Sequence, residues 1–93
     1  MCGNRQNRKE GRMATRVAII SIAVENPDSV RDLNRILHEN GEYIIGRMGI
    51  PYPKRGVSLI SVVMDAPADA ISAMTGKIGM LSGVTSKALY AKL

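Results

Sequence analysis

RVAIISIAVENPDSVRDLNRILHENG, residues 16–41, changes its apolar period from that of a strand to that of a helix. Arg16 to Val24 is rich in Val and Ile and holds no strand breaker, so it reads as a strand. Glu25-Asn26-Pro27 ends it. Asn26 suits an N-cap, because its side-chain oxygen can accept from an orphan N–H. Pro27 suits the first helical position, where no N–H is needed. Val30, Leu33, Ile36 and Leu37 then recur at helical spacing, while Asp28, Arg31, Asp32, Arg35, His38 and Glu39 take the other side. The helix runs to about Asn40, and Gly41 supplies its stop.

Outward from this unit the pattern repeats. Glu42 to Ile50 reads as a second strand, and Pro51 to Gly56 as a turn stiffened by two prolines. Val57 to Met64 is a third strand. Pro67 opens a second helix, with Asp65 or Ala66 at its cap. Ile71, Met74, Thr75 and Ile78 share the buried side of that helix, and Asp69, Ala73 and Lys77 face away. Gly79 closes it, and Met80 to Gly83 leads to a last strand from Val84 to about Ala91. The order is βαββαβ. Two right-handed crossovers of this kind predict an α+β, ferredoxin-like fold: one antiparallel four-stranded sheet with both helices on one face. Residues 15–93 form this domain, and residues 1–14 precede it as a basic, flexible arm.

Composition narrows the function. The chain has 93 residues, 45% of them hydrophobic, with no Trp, no Phe and three Tyr. That excludes a sheet that stacks RNA bases on several aromatic rings. One Cys excludes an intrachain disulfide framework, and with one His it leaves no tetrahedral zinc site within one chain. No metal and no cofactor is expected. No apolar stretch reaches the ~20 residues of a membrane helix, and no signal peptide is evident, so a cytoplasmic protein is expected. Charge is uneven: residues 1–16 carry five Lys/Arg against one Glu, whereas residues 17–93 carry eight against seven Asp/Glu. The arm, with Arg5, Arg8, Lys9 and Arg12, has the composition of a disordered segment. It reads either as a solubilising extension, with Met13 as an alternative start, or as a phosphate-binding arm. Lys54 and Arg55 in the proline turn would add a second basic contact.

The first and third strands are apolar on both faces. Val17, Ile19, Ser21 and Ala23 alternate with Ala18, Ile20, Ile22 and Val24. Val57, Leu59, Ser61 and Val63 alternate with Ser58, Ile60, Val62 and Met64. In a two-layer monomer the face turned away from the helices should be polar. An apolar one marks an interface. A homo-oligomer, dimer or tetramer, is therefore expected, with Ile20, Ile22, Ile60 and Val62 as interface candidates.

Three segments, Leu37-His38, Arg47-Met48-Gly49-Ile50-Pro51 and GKIGMLSGV at residues 76–84, resemble a small family of bacterial proteins named as regulators of the iron-only hydrogenase system. That family is related to ACT domains and to the C-terminal domain of nickel-responsive repressors. The resemblance covers residues 14–93 and implies an ACT-like fold, a symmetric oligomer and a small effector bound between subunits. The ligand candidates under that reading are Glu25 and Asn26 at the first βα junction, Arg47 and Gly49, and Gly76, Lys77 and Gly79.

No recognisable nucleophile–base pair argues for catalysis, so the protein is expected not to be an enzyme. His38 reads as a solvated helix residue beside Arg35 and Glu39. Gly76-x-x-Gly79 with Lys77 ends a helix rather than opening one and lacks the spacing of a phosphate loop. Gly79 and Gly83 permit the turn into the last strand, and Gly76 a close backbone approach. The expected function is that of a non-enzymatic, homo-oligomeric, ACT-like regulatory domain that senses a small effector. The alternatives are an electrostatic nucleic-acid-binding regulator using the arm, and a protein–protein adaptor.

Overall fold

The computed structural model describes residues 14–93, so the expectations for residues 1–13, including Arg5, Arg8, Lys9 and Arg12, lie outside the described residues. Strand β1 spans Arg16–Val24, helix α1 Val30–Glu39, β2 Ile44–Tyr52, β3 Val57–Ala66, α2 Ala68–Gly79 and β4 Val84–Tyr90. All pairings are antiparallel, in the order β2-β3-β1-β4. The two β-α-β halves interleave so that β1 and β3 lie at the centre, in keeping with their largely apolar character on both faces. This is the ferredoxin-like arrangement.

The core lies between the sheet and the helices. Ala18, Ile20, Ile22 and Val24 of β1 and Val62, Met64 and Ala66 of β3 are buried against Leu33, Ile36 and Leu37 of α1 and Ile71, Met74 and Ile78 of α2. Aliphatic and thioether side chains fill it, the Val, Leu, Ile and Met among them each contributing about 1.5–3 kcal/mol by leaving water. Tyr43 and Tyr90 pack only at its margin. The placement corrects the interface candidates: Ile20, Ile22 and Val62 belong to this core, and Ile60 packs against it. Alternation distinguishes the two faces of a strand but does not say which one the helices cover.

Local boundaries differ where side chains alter the backbone. A 3-10 turn, Pro27–Ser29, precedes α1, so its first turn is tighter than an α-helix. Val30 consequently stays 38% exposed instead of joining the buried stripe. Glu42 lies in a second 3-10 turn, Gly41–Tyr43, and not in a strand. β2 continues through Pro51 to Tyr52. It is an edge strand, which needs ladder bonds on one side only and so tolerates a proline. β3 likewise runs through Asp65 and Ala66, leaving Pro67 to cap α2 without a side-chain bond.

Candidate functional site

The first βα junction is held by the chain itself. The Asn26 side chain accepts from the Asp28 N–H at 3.0 Å and donates to Ser82 Oγ at 3.3 Å. Ser29, the buried polar residue among those described, donates its hydroxyl to the Ser82 carbonyl at 2.6 Å. The Glu25 N–H reaches the Gly83 carbonyl at 2.7 Å. Gly83 has φ +68°, and a Cβ there would stand 2.7 Å from Asn26 Cβ. The junction between α2 and β4 is thus stapled onto the start of α1 by the Glu25 N–H and the Asn26 and Ser29 side chains, while the N–H groups of Asp28, Ser29 and Val30 are satisfied locally by Asn26 and Pro27.

The ligand candidates fall in three places. Glu25 and Asn26 lie at this staple. Gly76, Lys77 and Gly79 lie on the exposed side of α2, which packs over the β4 side of the sheet. Arg47 and Gly49 lie on β2, the opposite edge. A Cβ on Gly76 would meet nothing within 4 Å, so no backbone approaches it closely, contrary to expectation. At Gly79 a Cβ would come 3.5 Å from Ser86 Oγ, whose hydroxyl donates to the Thr75 carbonyl at 3.0 Å. Arg47 donates to Asn34 Oδ1 at 3.3 Å across a mixed polar and apolar groove of about 470 Å³ between α1 and β2, which His38 also borders. Lys54 and Arg55 are exposed in the 3-10 turn Pro53–Arg55. Among the described residues no group of three or more His, Cys, Asp or Glu side chains is placed to hold a metal ion.

The larger feature is the sheet face opposite the helices. Cross-strand register sets its side chains in rows. One row is Ile50, Leu59, Ala23 and Thr85. The next is Met48, Ser61, Ser21 and Lys87. A third is Gly46, Val63, Ile19 and Leu89. Met48, Ile50, Leu59 and Leu89 are 61%, 50%, 46% and 67% exposed. The first two rows line an open groove of about 380 Å³, near the lower end of the roughly 300–1,000 Å³ typical of small-molecule sites. Sequence reading recognised that both sheet faces are apolar, but the interface candidates it named lie on the face that the helices cover. Lys87 went unremarked, because a single lysine on a strand carries no signal until register sets it beside Ser21.

A βαββαβ chain with order β2-β3-β1-β4, helices on one face and an uncovered apolar groove on the other, is a ferredoxin-like α+β domain. Residues 16–88 match the TM1266-like family model, described as "Iron-only hydrogenase system regulator, putative". The chain belongs to this family. It is similar to the uncharacterized protein TM1266 from Thermotoga maritima, whose solved structure superposes with a TM-score of 0.81 at 33% identity, covering 84% of this chain and 99% of that one. No curated protein matches the chain.

Proposed function

We propose that this protein is a non-enzymatic regulatory domain that self-associates through the open face of its sheet and couples that association to a small effector, as ACT-like domains do. The observation that carries this reading is the apolar character of the open face. Val63 and Ile19 stand side by side at its centre, flanked by Leu59, Met48, Ile50 and Leu89. A sheet face meeting water in a two-layer domain is ordinarily polar, and contiguous apolar surface of this kind favours a partner. A second copy satisfies it most simply, because an isologous two-fold contact matches the patch to itself. The family's description as a regulator supports a non-catalytic role within the iron-only hydrogenase system, and with it a cytoplasmic location. No helix of the described residues is long and apolar enough to cross a membrane.

The test is sedimentation equilibrium on the full chain and on Leu59→Asp. Leu59 is exposed, so the substitution leaves the core intact. The wild type is expected to sediment as a dimer or tetramer and the variant as a monomer with an unchanged far-ultraviolet spectrum. A monomeric wild type, or a variant of unchanged mass, overturns the reading.

A further inference from the structure

We infer that the groove on the open sheet face binds a small organic monoanion with an apolar body, its carboxylate held by Lys87 between the two associating faces. This rests on the reading of that face as the self-association surface and names the class of its effector. The groove joins two unlike rows. Ile50, Leu59 and Ala23 offer an apolar bed. Beside them Ser61, Ser21 and Lys87 are cross-strand neighbours, an arrangement of two hydroxyls and an ammonium along one line. Among the described residues Lys87 has no ion pair, and the hydroxyls of Ser21, Ser61 and Thr85 have no side-chain hydrogen bond.

Closing an apolar face over Lys87 would bury an ammonium without a partner, and the lost hydration would oppose the contact. A carboxylate in the groove offsets that loss and satisfies the hydroxyls, while its tail covers the aliphatic row. No acidic side chain lines the groove. A zwitterionic amino acid would therefore bring an ammonium that nothing there answers, next to a lysine that repels it. The chemistry selects a monoanion over an amino acid. Asp65 shares this face, but register places it two rows along the sheet, beside Val17. A second copy's Asp65 is the rival partner for Lys87.

The experiment titrates the full chain with octanoate, octylamine, octanol and leucine. It follows the amide resonances of Ser21, Leu59 and Ser61 for binding, and sedimentation for mass. Octanoate alone is expected to shift those resonances. Lys87→Met, which keeps the stem and loses the charge, should weaken octanoate at least about ten-fold, the worth of one charged hydrogen bond, and Lys87→Arg should largely restore it. Equal binding of octylamine or octanol, binding of leucine, or octanoate binding that survives Lys87→Met overturns the inference. So does association that Asp65→Asn abolishes and octanoate leaves unchanged. The ligand series on the wild type decides the matter even if a variant fails to fold. Octanoate binding at Lys87 with a constant monomer mass would uphold the groove as an anion site while refuting the self-association reading.

Discussion

Gly83 shows how one residue can carry a constraint set far away in the chain. Its φ of +68° asks for glycine, as does the φ of +64° at Gly56. The two sites differ in their surroundings: a Cβ at Gly56 would meet nothing within 4 Å, whereas at Gly83 it would run into Asn26 at 2.7 Å. Left-handed backbone alone costs an L-residue about 1–2 kcal/mol. Gly56→Ala should therefore lose about that much, and Gly83→Ala clearly more, because Asn26 must give way and with it the cap of the 3-10 turn that leads into α1. Urea denaturation midpoints of the two variants check this, and equal midpoints would refute the close packing. Asn26 as a cap was legible from Asn-Pro, since capping is local. Its second bond, to Ser82, was not, because only the closed fold brings residues so distant in sequence together.

Strand β1 carries the argument at the scale of an element. Ile19 and Ile20 are identical in chemistry and adjacent in sequence, yet Ile20 is fully buried and Ile19 only half-buried on the open face. Ile20→Ala should cost about 2–5 kcal/mol, the range for aliphatic truncation in a core. Ile19→Ala should cost well under half of that when unfolding is followed at a concentration too low for association. Similar losses at both positions would contradict the assignment of faces. Helices announced their buried sides more plainly, since Leu33, Ile36 and Leu37 stand opposite charged residues whereas a doubly apolar strand offers no such contrast. Val30 departs because the opening 3-10 turn leaves it at the rim, beside the groove formed with Pro51, Tyr52 and Val57.

Across the whole molecule, the two apolar faces of one sheet separate stability from association. The helix side holds the monomer together, and the open side remains available for a partner. If that side is covered in solution, folding and association are linked, and the midpoint of thermal unfolding should rise with protein concentration. Calorimetry over a hundred-fold range of concentration checks this, and a constant midpoint would show that the face stays open. Strand and helix order, the ferredoxin-like topology and the family were all determined by the sequence itself, because periodicity, caps and turn residues are local and the handedness of crossovers leaves few ways to connect them. Which apolar face the helices cover, the staple between Asn26 and Gly83, and the row that sets Lys87 beside Ser21 and Ser61 were decided only by the tertiary structure. Each depends on register between strands and loops far apart in the chain, and that register is set when the whole core packs at once.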